Sequence, residues 1–184
     1  KGPKQSKRES GLFLIFLDDQ FQSEVNLVST MNVHSLSQEQ TIPVPLDQAW
    51  EFFSSPRNLE AMTPPKMGFR IVSLPSEVLY EGEIIEYSVK VLPGIWIPWV
   101  SEIKALRVGE SFVDDQISGP FKFWHHRHSF EETSRGTRVK DLIHYSVGFS
   151  IFGEVARALV VKNQLAKMFE HRRLVLDEKF GKVN

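Results

Sequence analysis

The sequence predicts an α+β domain: a curved, seven-stranded antiparallel sheet folded around one long C-terminal helix. Three observations carry this. Short alternating stretches separated by turn residues run from Phe69 to Phe149. The periodicity then changes from two to near 3.6 and stays there from about Ile151 to Phe180, a stretch without proline. The final segment, about 40 Å long as a helix, can cross a whole small domain. A strongly bent sheet needs its concave face covered, and this is the one element long and apolar enough to do so.

The elements follow in order. His34 to Val44 reads as a first strand, with Leu36, Gln38 and Gln40 on one face. Pro45 precedes a helix, LDQAWEFFSS, with Ala49, Trp50 and Phe53 on its inward stripe and Asp47 in the first turn. Pro56 opens a second short helix, RNLEAM, which Pro64-Pro65 stops. Strands follow at Phe69 to Leu74, Glu83 to Leu92, Ile95 to Val108, Ser111 to Ser118, Phe121 to Glu132 and Thr137 to Phe149. Pro98 marks the third of these as an edge, a bulge or a strand start. Ser134-Arg135-Gly136 makes a hairpin turn with two registers open. With Ser134-Arg135 as the loop, His128 faces Asp141; with Arg135-Gly136, it faces Ile143. The helix carries Val155, Leu159, Ala166, Phe169, Leu176 and Phe180 on a stripe widened by Val161, Leu165, Met168 and Val175. Gly181 ends it.

Ahead of the domain, which spans residues 33–184, residues 1–32 read as an N-terminal extension, either upstream sequence or a segment appended for expression. Basic residues Lys1, Lys4, Lys7 and Arg8 precede LFLIFL (Leu12 to Leu17), which Asp18-Asp19 ends. Six apolar residues are short for a secretory signal and far short of a membrane span. This run is expected to pack on an apolar surface, more readily that of a neighbouring molecule, which would make the chain a homo-oligomer or an interaction module.

Composition excludes several functions. A net charge of −1 gives no field to draw nucleic acid or an acidic membrane. With no cysteine, there is no disulfide, thiolate catalysis or cysteine metal site, which fits the cytoplasm. HExxH, GxSxG, phosphate-loop and dinucleotide motifs are missing from the sequence. The 21 aromatic rings (14 Phe, 4 Trp, 3 Tyr) suit a packed core and also the wall of an apolar pocket.

The densest polar constellation lies between Phe112 and Phe130. Strand alternation puts Phe112, Asp114 and Gln116 on one face, and Trp124, His126, His128 and Phe130 on the same face of the next strand. The aromatic ends mark that face as inward. Three readings remain open: a hydrogen-bonded network of Asp114, Gln116, His126, His128 and Asp141; the polar end of a ligand cavity; or a catalytic or metal site. His126 and His128 suit general acid–base work, with Asp141 or Asp114 orienting them. An H-x-H pair lacks a clearly specified third ligand, so no metal and no other cofactor is assigned. His125 and Arg127 have the opposite parity and face solvent with Lys122, Arg138 and Lys140, a basic stripe diluted by Asp115, Glu131 and Glu132. The expected cavity wall is Trp50, Phe53, Phe69, Tyr87, Val89, Trp99, Phe112, Trp124, Phe149, Leu165 and Phe169, with Gln116, His126 and His128 as polar contacts.

The run FVDDQISGPFKFWHHRHSF, followed by GTRVKDLIHY, resembles the START-like/Bet v 1-like superfamily, especially SRPBCC proteins related to bacterial polyketide cyclases. Some of those relatives are labelled cell-division inhibitors. Phe112, Asp114 and Gln116 match F-x-D-x-Q; Gly119-Pro120-Phe121 matches a GP-aromatic turn; Trp124, His126, His128 and Phe130 match W-x-H-x-H-x-F; Gly136, Thr137 and Asp141 match GT-x-x-x-D. The resemblance covers roughly Ser35 to Gly181. It implies a helix-grip fold with a hydrophobic cavity between sheet and terminal helix. Members bind lipids, polyketides, hormones or quinones, and a minority catalyse cyclisation or hydrolysis. The leading expectation is therefore a binding or carrier protein for a medium-sized apolar molecule. A cyclase or dehydratase using a cavity histidine is the alternative.

Overall fold

In the computed structural model the described residues are 33–73, 76–92, 94–147 and 154–183. The chain divides into residues 1–31 and 32–184, so the expected packing of Leu12 to Leu17 lies outside the described part, as does Phe149. Seven strands form one antiparallel sheet: β1 (His34–Ile42), β2 (Phe69–Ser73), β3 (Ile84–Leu92), β4 (Ile95–Arg107), β5 (Ser111–Ser118), β6 (Phe121–Thr133) and β7 (Gly136–Val147). Helices α1 (Leu46–Phe53) and α2 (Arg57–Ala61) and a 3₁₀ turn (Pro65–Met67) lie between β1 and β2, and α3 (Glu154–Phe180) closes the domain.

The sheet order is β1-β7-β6-β5-β4-β3-β2. From β2 to β7 it is an antiparallel meander, and from β3 onward the strands are joined by short turns that only antiparallel neighbours can use. β1 joins at the far edge beside β7, and the α1–α2 pair bridges from one edge to the other. Pro45 starts α1, and Ala49, Phe52 and Phe53 are its buried side. Trp50, expected on the same stripe, is half-buried against it.

Pro98 sits in an interior strand, yet its position respects proline chemistry. It pairs with Ser88 of β3, while pairing of β4 with β5 begins only at Val100–Ser118. Proline therefore falls where β4 has run past the end of β5. Near its other end β4 breaks register between Lys104 and Arg107, where Ala105 has φ 50°, and Glu81 accepts the backbone N–H groups of Ala105 (3.0 Å) and Leu106 (2.6 Å).

The β6–β7 hairpin uses Ser134-Arg135 as its loop: Thr133 faces Gly136, Phe130 faces Val139 and His128 faces Asp141. Gly136 has φ 120° and lies so close to β1 that an added Cβ would be 2.2 Å from the Ile42 carbonyl oxygen. Only glycine fits there.

Helix α3 lies on the inward face. Its buried side is Leu165, Phe169, Arg172 and Leu176, the spacing i, i+4, i+7, i+11 of one helical stripe. Ala166, expected on that stripe, is exposed, and its place one position round from Leu165 explains this. Two apolar clusters result. One joins Phe52, Phe53, Phe112, Phe130, Tyr87 and Leu176; the other joins Trp124, Ile143, Tyr145, Val147, Leu165 and Phe169.

Candidate functional site

Strand parity and register bring the polar site together between these two clusters. Asp114 of β5 is opposite His126 of β6, and His128 of β6 is opposite Asp141 of β7. All four face inward, and Arg172 reaches them from α3. His126, His128, Asp141 and Arg172 are each at most 7% exposed.

Asp141 is the centre. Its Oδ1 accepts from Arg172 Nη1 at 2.9 Å and from His126 Nε2 at 2.9 Å. His128 Nδ1 is 3.0 Å from the same oxygen but off the line of a hydrogen bond, so the expected contact exists while the aligned bond goes to His126. Burial pushes the Asp141 carboxyl up. The Arg172 charge and the two imidazoles outweigh it and hold the carboxyl well below the usual range. Arg172 also lies over the rings of Phe53 (4.9 Å) and Phe169 (5.7 Å), which suits a buried guanidinium.

His128 is clamped between rings, stacked on Phe112 at 4.3 Å and tilted against His126 at 3.9 Å between centroids. Burial, then the neighbouring His126, lowers its pKa to about 3 against the pull of Asp141, so it is neutral at physiological pH. His126 lies edge-on to Trp124 (5.9 Å) and Phe169 (6.3 Å), members of the second cluster.

Asp114 belongs to a second chain of contacts. Trp99 Nε1–H donates to Ser101 Oγ at 2.9 Å, and Ser101 bonds to Asp114. Burial pushes the Asp114 carboxyl up, Ser101 and His126 draw it down, and the net direction is up; its Oδ1 is buried without a protein partner. Burial and the carboxyls of Asp114 and Glu83 raise Tyr87 well above the usual phenol range.

The remaining expected residues separate. Gln116 spends its amide on the Gly119-Pro120 turn, donating to the Phe121 carbonyl (2.7 Å) and accepting from the Phe121 N–H (3.2 Å). Trp50, Phe53, Phe112 and Phe130 contact one another at 5.3 to 6.2 Å, so these rings pack that end of the domain solidly. Phe69 lies near Tyr87 at 4.9 Å, with Val89 opposite Phe69 across β2–β3. Trp99 meets Trp124 (5.1 Å) and Phe121 (5.5 Å), which places it with Leu165 and Phe169 round the second cluster. A cavity of about 20 Å³, room for one water, lies between β1 and α3, bordered by Gln38, Gln40, Asp141, Phe169 and Arg172.

Arg172 and Ser101 were missing from the sequence reading. Arginine in a helix ordinarily reads as surface, but its place three residues after Phe169 and four before Leu176 already puts Arg172 on the buried stripe. The His126, His128 and Asp141 ligand atoms lie within 4.8 Å of one another, a spacing a metal could use. Arg172 already supplies the cation at Asp141, so a metal would have to displace it or be repelled by it. On the opposite face His125 pairs with Asp115 (2.7 Å), and Arg138 and Lys140 both pair with Glu131 (3.1 and 3.3 Å).

This is a helix-grip fold, and solved structures share it. TTHA0849 from Thermus thermophilus superposes with a TM-score of 0.61 at 19% identity, over 80% of this chain and 97% of that one. Protein Ms6760 from Mycobacterium smegmatis gives 0.56 at 20% identity, over 78% and 88%. The di-domain ARO/CYC StfQ from the steffimycin biosynthetic pathway gives 0.63 at 13% identity, over 81% of this chain and 50% of that one. No family model matches the sequence, and no curated protein matches it. No described helix is long and apolar enough to cross a membrane.

Proposed function

We propose that the domain, residues 33–184, binds or carries a medium-sized hydrophobic molecule between the sheet and α3, at the second cluster rather than the first. One observation carries this. Amid aromatic side chains the inward face holds a charged and polar group in which Asp114 Oδ1 and Arg172 Nη2 are buried without a protein hydrogen bond, and His128 Nδ1 is out of line with Asp141. Buried polar atoms left unmatched by the protein are costly, and sites that recognise ligands are where they are retained. Rings such as Trp99, Trp124 and Phe169 would supply affinity at roughly 25 cal/mol per Å² of apolar surface buried.

The test is native mass spectrometry of gently purified protein, followed by thermal shift with a panel of fatty acids, naphthalenes and polycyclic phenols. A retained adduct, or a rise in melting temperature for part of the panel, is expected. No adduct and no shift across the panel would remove the reading.

The His126–Asp141 hydrogen bond favours a second reading: an acid–base enzyme of cyclase or dehydratase type, in which Asp141 orients the His126 ring. The likeness to an ARO/CYC protein agrees with it at the level of fold. Turnover of a ligand found in the first test, lost in His126→Phe with binding kept, would establish it.

A further inference from the structure

On the outer surface, one region keeps positive charge beside aromatic and aliphatic side chains. Tyr87 and Trp99 face inward and are opposed across β3–β4, so alternation turns Lys90 and its partner Trp96 outward. Arg70 of β2, opposite Ser88, shares that face. Its guanidinium lies over the Trp96 ring at 4.2 Å. The 3₁₀ turn that carries Lys66 is held beside them. The Lys90 N–H donates to the Gly68 carbonyl at 2.9 Å, and a Cβ on Gly68 would meet Lys90 Cβ at 2.6 Å and Trp96 Cη2 at 3.1 Å. Lys66, Arg70 and Lys90 are exposed, and among the described residues none of them has an ion-pair partner. Elsewhere on the surface Arg57, Lys104, Arg138 and Lys140 are all paired with carboxylates. The outward carboxylate of β3, Glu86, is four residues from Lys90, about 13 Å along the strand.

The end of the β3–β4 hairpin beside these cations is apolar. Over Ile95 to Trp99, β4 has run past the end of β5 and is paired with β3. This run carries no charge, and Ile95 at its end is 51% exposed. We propose that Lys66, Arg70 and Lys90 around Trp96, with Ile95 at the tip, form a peripheral docking surface for an anionic lipid bilayer. The cations meet headgroup phosphates, Trp96 lies at the headgroup level, and Ile95 enters the acyl boundary. The net charge of −1 does not oppose this. Fields are screened over about 8 Å at physiological salt, so a bilayer at this face meets the local charge. A nucleic acid would engage the cations through its phosphates and gain nothing from Ile95, so a lipid surface fits the whole patch better. The docking surface stands apart from the inward face and does not depend on the cavity reading.

The experiment sediments the full chain with vesicles of phosphatidylcholine alone, and with vesicles of phosphatidylcholine and phosphatidylglycerol in equal parts, at low and at physiological salt. Binding to the anionic vesicles that falls as salt rises is expected, with little binding to the neutral ones. Arg70→Gln and Lys90→Gln should each weaken it about fivefold. Ile95→Ser should weaken it while the salt dependence stays. The double variant Arg138→Gln/Lys140→Gln removes the same net charge as Arg70→Gln/Lys90→Gln, from cations already paired with Glu131, and should bind as wild type. Urea unfolding of each variant separates lost binding from lost folding, and if the Arg70 variant does not fold, Lys90→Gln and Ile95→Ser decide. Binding to neither vesicle, equal binding to both, or equal losses in the two double variants overturns the proposal. Binding that Arg70→Gln/Lys90→Gln retains belongs to another surface, such as the basic N-terminal run, and overturns it as well. A single-stranded oligonucleotide that binds through the same two cations, with no vesicle binding, reassigns the patch and overturns the lipid reading.

Discussion

Asp141 and Arg172 form an ion pair with almost no access to water, and the two residues depend on each other more than either helps the fold. Removing one partner of such a pair leaves a buried charge without compensation, at a cost of about 3–5 kcal/mol. Arg172→Met and Asp141→Asn should each lose stability on that scale in urea unfolding. The double variant should be less destabilised than the sum of the two. Additive losses would show that the two side chains do not interact. His128 gives a separate prediction with a defined pH window. Its pKa falls from 6.5 to about 3 on folding, chiefly through burial. Between those values the unfolded chain binds a proton that the folded chain refuses, so stability falls as pH drops below about 6.5. By pH 4 the loss from this residue is on the order of 3 kcal/mol. Asp114, raised by burial, acts in the opposite sense by gaining stability as pH falls, and Asp141 begins to weaken the fold only below its unfolded value near 4. His128→Phe should therefore flatten the decline between pH 6.5 and 4, read from urea midpoints across that range. An unchanged slope would place the acid sensitivity elsewhere.

Among elements, the β6–β7 hairpin aligns the site, and its register depends on one glycine. Gly136 at φ 120° would bring any Cβ into the Ile42 carbonyl, so Gly136→Ala should cost more than the 1–3 kcal/mol of backbone strain alone. Gly109→Ala makes the control, since φ is 77° there but nothing lies within 4 Å of an added Cβ. Thermal unfolding of the two variants should separate them, with Gly136→Ala clearly the less stable. Most elements were legible in the sequence by period and by stop residue, while β1, whose alternation is weak, ends at Ile42 rather than at the expected Val44. Ser111–Ser118 is a strand with the expected bounds, and β6 overruns by one residue. The inward face of the site was legible too, since parity alone places Asp114, His126 and His128 together whichever hairpin register holds. Long-range choices were not. That Asp141 would bond His126 rather than the opposed His128 depends on where α3 delivers Arg172, and strand alternation says nothing about that. Gln116 likewise read as a cavity residue because its parity is inward, while its amide is held by a turn five residues away.

At the scale of the whole molecule, the sheet and α3 meet in two regions of different character. Round Phe53, Phe112, Phe130 and Leu176 the rings contact one another, and Leu176 is 1% exposed. Round Trp99, Trp124 and Phe169 the aromatic side chains adjoin the polar site. This division predicts that stability and binding respond to different residues. Leu176→Ala removes a filled core position and should cost about 2–5 kcal/mol while leaving probe affinity unchanged. Phe169→Ala enlarges the other region, so its loss of stability should come with a changed ranking among probes of different size. A bound ligand at a hundred times its dissociation constant adds about 2.7 kcal/mol to the folded state, which for a chain of this length raises the melting temperature by about 5 to 10 °C. Wild type and Leu176→Ala should show the same increment from different starting temperatures, because the ligand senses only its own site. Equal loss of the increment in both variants would mean that the two regions act as one core, and that the helix is gripped without leaving a separate place for a guest.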